Sequence, residues 1–201
     1  MTTAIIVASG SSSRMGFDKL AANLNGVSVL QRTINIFSEA SSIDQITLVC
    51  SNESFLRLDT ESFTKPLVHV LGGATRQESV WNGLSSLSDE VSYVSIHDGA
   101  RPLISVEQIN KTLAKAKTHK AVASARRVTE TVKRVTEDGF ISESVSREHL
   151  WIIETPQVFE RGLIVSAYKK IKVAGVNVTD ETSAVEFLGE ILFVGAPNPN
   201  L

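Results

Sequence analysis

A chain of 201 residues, 42% hydrophobic and 21% charged, is long enough to bury a sizeable core as one large domain or two small ones. A formal net charge of −2 at pH 7 excludes the broad positive field that nucleic acid or an anionic membrane would need, so any anion site must be built locally. The lone Cys50 excludes an internal disulfide, and no secretory leader or apolar run near the roughly 18 residues of a spanning helix is visible, so a soluble cytoplasmic protein is expected.

Short β-rich runs alternate with helical patterns, the mark of an α/β layered fold. A first strand is expected over 3–8, leading into a loop of small residues that ends in fixed charge at Arg14 and Lys19. Val29, Leu30, Ile34 and Phe37 recur at helical spacing within 28–40. Strands over 45–50 and 67–71 follow, with Cys50 as a packed strand residue, and Gly72-Gly73-Ala74-Thr75-Arg76-Gln77-Glu78-Ser79-Val80 comes next. A strand over 91–97 runs into His97-Asp98-Gly99-Ala100-Arg101-Pro102. Ser105 and Gln108 then form a capping box for a helix through Ile109 and Leu113.

Beyond a strand at 120–125, residues 128–147 alternate polar and apolar around Asp138-Gly139, a strong hairpin signal. With little apolar content beyond Val132, Val135, Phe140, Ile141 and Val145, this hairpin is marginal alone. It is an arm that lies on its own domain or docks onto another subunit. Glu154-Thr155-Pro156-Gln157-Val158-Phe159 precedes a helix over 159–173, and Val178-Thr179-Asp180-Glu181 precedes one over 181–188 stopped by Gly189. A last strand is expected over 190–195. The organisation is a single domain, 1–201, with one inserted arm.

The first loop fails both familiar phosphate patterns. Gly10 and Gly16 stand six apart with Phe17 after the second, which is not a Walker loop, and Ser12 takes the middle glycine position of a dinucleotide fingerprint. Its chemistry still suits a polyphosphate. Small residues let successive backbone N–H groups close on an anion, and Arg14 and Lys19 add permanent charge.

Taken together, residues 4–19, GGATRQESVWNGL (72–84), HDGARP (97–102), TVK (131–133), TPQVF (155–159) and TDE (179–181) resemble the family of 2-C-methyl-D-erythritol 4-phosphate cytidylyltransferases, nucleotidyltransferases related to sugar-nucleotide synthases. The resemblance implies a mixed, mostly parallel Rossmann-like sheet with helices on both faces. It also implies a homodimer joined through the 128–147 arm. The implied reaction joins CTP and methylerythritol phosphate into a CDP-alcohol and pyrophosphate with Mg²⁺ or another divalent cation, in non-mevalonate isoprenoid biosynthesis.

On the matching positions, Arg14, Lys19 and Arg147 are the expected catalytic cations. Ala8, Ser9, Gly10, Ser11 and Ser12 wrap the triphosphate, while Gly72, Gly73, Arg76, Ser79, Asp98 and Gly99 complete the nucleotide pocket. Asp98 serves either the metal or the ribose. Arg101, Thr131, Arg147, Thr155 and Thr179 hold the acceptor, with capping of the next helix as the other role for Thr179. An attacking phosphate with a second pKa of about 6 needs no general base. Accordingly, His97 is expected to be structural, and Trp81 and Trp151 to sit in core or interface.

The chain departs from the family pattern at Ser9, at Asp18 in place of proline before Lys19, and at Leu20 in place of glutamine after it. Asp18 is expected to orient or partly offset Lys19. The family also carries a lysine just past an asparagine near the C-terminus. This sequence reaches Pro199-Asn200-Leu201, so the natural chain is expected to continue. Two rivals stay open: the same transfer to ribitol 5-phosphate, and a regulatory protein that binds nucleotide with weak turnover.

Overall fold

The computed structural model describes residues 1–10, 16–190 and 193–194. Its first strand, β1 (Thr2–Ala8), is buried along its whole length. A small hairpin of β2 (Asn23–Leu24) and β3 (Val27–Ser28) follows, turned through Asn25 and Gly26 at φ of 51° and 85°. Ser28 then accepts from the Gln31 N–H and starts α1 (Val29–Glu39). Next come β4 (Gln45–Cys50), α2 (Asn52–Leu56), β5 (Leu67–Leu71), α3 (Arg76–Ser85), β6 (Tyr93–Asp98) and α4 (Val106–His119). Ser105 caps α4 by accepting from Gln108 N–H, as the capping box predicts. The chain continues through β7 (Ala121–Arg127), the arm strands β8 (Val132–Val135) and β9 (Ile141–Val145), β10 (Trp151–Glu160), α5 (Arg161–Ala174), α6 (Glu181–Leu188) and β11 (Phe193–Val194).

Seven strands form one sheet in the order β11-β7-β10-β6-β1-β4-β5. All neighbours are parallel except β10, which runs antiparallel to both β6 and β7. The side-chain alternation of a strand divides the core in two. Ile5 and Val7 of β1 face Val80, Leu84, Ile164 and Tyr168 on one side. Ala4, Ile6 and Ala8 face Leu30, Ile34, Phe37 and Ile109 on the other. A sheet covered on both faces is the mixed, mostly parallel architecture expected above. No helix among the described residues is long and apolar enough to cross a membrane.

Strand β10 is the element the sequence pattern concealed. Pro156 cannot donate to a ladder and Glu154, Thr155 and Gln157 are polar, so the stretch looks like a loop. The structure accepts the proline at a register shift between Ile153 and Gln157 and buries all three polar side chains. Because β10 runs through Glu160, α5 starts at Arg161, two residues later than expected.

Candidate active site

Strands β1 and β6 lie side by side and parallel, with Val7 opposite Asp98, so both deliver their following loops to one edge of the sheet. That carboxyl edge is where open α/β sheets bind ligands. A cleft of about 670 Å³ opens there. Ala8, Ser9 and Gly10 line it from the first loop, with Lys19 and Leu20 farther along the chain. Gly73, Ala74, Thr75 and Arg76 form the wall at the start of α3, and Asp98, Ala100 and Arg101 the wall after β6.

A knot of short hydrogen bonds holds two of these loops together. Ser9 Oγ donates to Ser79 Oγ at 2.7 Å, and Ser79 Oγ accepts from the Gly73 N–H at 3.0 Å while donating to Thr75 O at 2.8 Å. A Cβ on Gly72 would stand 2.3 Å from Ser9 Cβ, and one on Gly73 2.4 Å from Glu78 Cβ. Only glycine permits this approach. Thr75 caps α3 by accepting from the Glu78 N–H, and Glu78 in turn accepts from Ala74 N–H at 2.7 Å.

The expected residues divide into those the fold brings into the cleft and those it does not. Ala8, Ser9, Gly10, Lys19, Gly73, Arg76, Asp98 and Arg101 line it, and Gly72 packs behind Ser9. Ser79, Gly99 and Thr155 are buried beneath it, with their polar atoms engaged inside the chain. The Gly99 N–H donates to Val7 O at 2.8 Å, and Thr155 Oγ1 pairs with His97 Nδ1 at 2.9 Å. These three form the floor that carries the site. Thr131 and Arg147 are exposed on the arm and do not line the cleft. Thr179 is exposed too, and the cap of α6 is Asp180, which accepts from the Ser183 N–H at 3.1 Å. Ser11, Ser12 and Arg14 lie outside the described residues.

Lys19 reaches the cleft half-buried, with no hydrogen-bond or ion-pair partner among the described residues. Asp18 makes no ion pair with it among the described residues. Its carboxylate instead accepts from the Leu20 N–H at 3.0 Å and faces Arg57 at 3.4 Å. Beneath the opposite wall, His97 is 1% exposed and bonds through both ring nitrogens, to Thr155 and to the Arg101 carbonyl. Burial drives its pKa down to about 4. It is the structural histidine expected from the sequence, and no proton shuttle at neutral pH.

Arg76 joins the two carboxylates of the region. Its Nε and Nη2 donate to Asp98 Oδ1, both at 3.1 Å. Nη1 and Nη2 donate to the two oxygens of Glu181 at 2.7 and 3.0 Å. Arg101 adds a bond to Asp98 Oδ2 at 3.2 Å. Burial opposes the charge on Asp98, but Arg76, then His97 and Arg101, outweigh it and hold the carboxyl below its ordinary value. Glu181, fully buried, was quoted in the TDE motif without a role. Its signal in the sequence is an acid at the first position of a helix, which a solvated first turn produces equally well.

Asp98 is the only carboxylate lining the cleft, and no group of three or more His, Cys, Asp or Glu side chains stands together among the described residues. One such carboxylate fits a Mg²⁺ ion whose other ligands are water and substrate phosphate, and does not fit an all-protein metal cage.

The 2-C-methyl-D-erythritol 4-phosphate cytidylyltransferase (IspD) family model matches residues 2–196. The enzyme of that name from Caldanaerobacter subterraneus subsp. tengcongensis is 39% identical over 194 residues, spanning 93% of this chain and 86% of the relative. The Clostridium novyi enzyme is 38% identical over 199 residues, 95% of this chain and 85% of the relative. Among solved structures, the 4-diphosphocytidyl-2C-methyl-D-erythritol synthase of Anaerococcus prevotii superposes with a TM-score of 0.88 at 30% identity, covering 100% of this chain and 91% of that one. With a family model spanning nearly the whole sequence and relatives this similar, the chain belongs to the 2-C-methyl-D-erythritol 4-phosphate cytidylyltransferase family.

Proposed function

We propose that this protein transfers the cytidylyl group of CTP to 2-C-methyl-D-erythritol 4-phosphate, a step of isoprenoid biosynthesis. The observation that carries the proposal is the cleft at the ends of β1 and β6, where Lys19, without a partner among the described residues, faces small-residue backbone. An oxygen of the acceptor phosphate forms a bond to the α-phosphorus of CTP, and the bond from that phosphorus to the bridging oxygen breaks. Pyrophosphate leaves with the electron pair. Both partners are anions, so the protein's task is alignment and charge neutralisation.

Lys19 supplies fixed positive charge where the α-phosphate becomes crowded, and Arg14 is assigned the same task from its place in the loop. Gly73 and its neighbours offer close-range backbone groups to the neutral base. Asp98 would hold Mg²⁺, which when bound neutralises phosphate charge. Arg101 stands beside it for the ribose or the acceptor. Thr131 and Arg147 reach an acceptor only when the arm of a second copy is seated, with Thr179 assigned near the same substrate, and we assign homodimerisation through the arm on that ground together with its exposed Val135, Phe140 and Ile141. A reducing cytoplasm suits the single buried thiol of Cys50, whose pKa burial raises to about 11.

The test is pyrophosphate release from CTP with Mg²⁺, with methylerythritol phosphate and ribitol 5-phosphate offered in parallel. Release with the first alone is expected. Release with the second alone transfers the assignment to the ribitol enzyme, and CTP binding without release makes the protein a nucleotide-binding regulator.

A further inference from the structure

We propose that Glu181 is a positioning residue, which aims the Asp98 carboxylate into the cleft by locking the guanidinium of Arg76. The inference rests on the cleft being a CTP site. Arg76 presents two edges: one grips Asp98 Oδ1 through two N–H groups, the other grips both oxygens of Glu181. Glu181 is fully buried, while Arg76 and Asp98 remain about a third exposed on the cleft side, at 32% and 31%. The fixed end of the chain of contacts is therefore Glu181, and the working end is Asp98. The Tyr168 hydroxyl donates to Glu181 Oε1 at 3.0 Å and fixes that end further.

A purely architectural role for the pair is already filled by other contacts. Gln157 ties β10 to the start of α6 through Asp180 at 3.0 Å and the Thr182 N–H at 3.1 Å. Gln77 ties α3 to the loop before α6 through Val176 O at 3.2 Å and the Val178 N–H at 2.9 Å. These bonds hold α6 in place without Glu181. A buried ion pair is also a poor way to gain stability, since its desolvation offsets most of its attraction. What Glu181 adds is a second, buried grip that holds the Arg76 guanidinium in the one orientation that meets Asp98. Without it, the planar fork is free to swing about the Cγ–Cδ and Cδ–Nε bonds and release or re-aim Asp98.

Calorimetric titration of CTP into the wild type, E181Q, D98N and the double variant tests this as a thermodynamic cycle. Glutamine keeps the shape of Glu181 and accepts only one good Arg76 bond. E181Q is expected to weaken CTP binding about tenfold in the wild-type background and less than twofold in D98N, because its effect passes through Asp98. Equal losses in both backgrounds, or no loss in either, overturn the inference. If E181Q does not fold, E181D replaces it: the shorter side chain keeps the charge but cannot meet Arg76 with both oxygens in the same place, and the same two outcomes decide. Failure of the wild type to bind CTP refutes the proposed function and this inference with it, whereas wild-type binding with an additive cycle refutes the inference alone.

Discussion

At the cleft, Asp98, His97 and Ser79 each find their hydrogen-bond partners inside the chain, and even the buried Glu181 is met by Arg76 and Tyr168. On the arm, Val135, Phe140 and Ile141 stand 55%, 73% and 67% exposed on a two-stranded ribbon. The contrast separates two ways of making a site. Walls pinned by buried polar contacts are preorganised before any ligand arrives, which suits groups that must meet developing charge. A hairpin with an unburied apolar side gains little from its own chain and becomes ordered against something else.

Three experiments would break or sharpen that contrast. The largest effect is expected at Lys19, which contributes charge to the cleft and pairs with no other group among the described residues. Lys19→Ala should lower kcat for pyrophosphate release by about 10²–10³ while the thermal midpoint stays put. Full activity in that variant would remove the chemistry from this cleft.

The second effect concerns the floor of the cleft. The folded pKa of His97, about 4, lies below the ordinary value near 6.5. As pH falls through that window the unfolded chain takes up a proton that the native chain refuses, so stability drops by about 3 kcal/mol. Urea midpoints at pH 7 and 4.5 should show the loss, and His97→Asn should flatten it. An unchanged slope in the variant would mean that other groups carry the acid sensitivity.

The smallest effect on folding is expected on the arm. Ile141→Lys should alter unfolding free energy by no more than about 0.5 kcal/mol, yet shift sedimentation from dimer to monomer and raise KM for the acceptor. A loss of 2 kcal/mol or more would show instead that the arm packs on its own body.

How much of this was legible beforehand depended on the kind of signal. The turn at Gly139, with φ of 85°, and the Ser105 cap are local devices, and the sequence displays them openly. The same local signal exists at Asn25-Gly26, where a small hairpin forms. The roles expected of Ala8, Ser9, Gly10, Lys19, Gly73, Arg76, Asp98 and Arg101 came from the family resemblance of motifs that stand just past strand ends, and these residues line the cleft. Ser79, Gly99 and Thr155 lie in the same motifs, and nothing in a linear string distinguishes a side chain under a pocket from one inside it. Polar residues in β10 misled for a related reason: their partners, such as Asp180 for Gln157, are distant in sequence.

The amino-acid order alone determined the alternation of strand and helix, both hairpin turns and the cluster of chemistry at strand ends, because period, capping and turn geometry act over a few residues. Only the tertiary structure decided that β10 enters the sheet reversed between β6 and β7, and that Glu181 meets Arg76 across 105 positions. Those outcomes depend on which buried polar group finds which partner, and that is settled by packing in three dimensions.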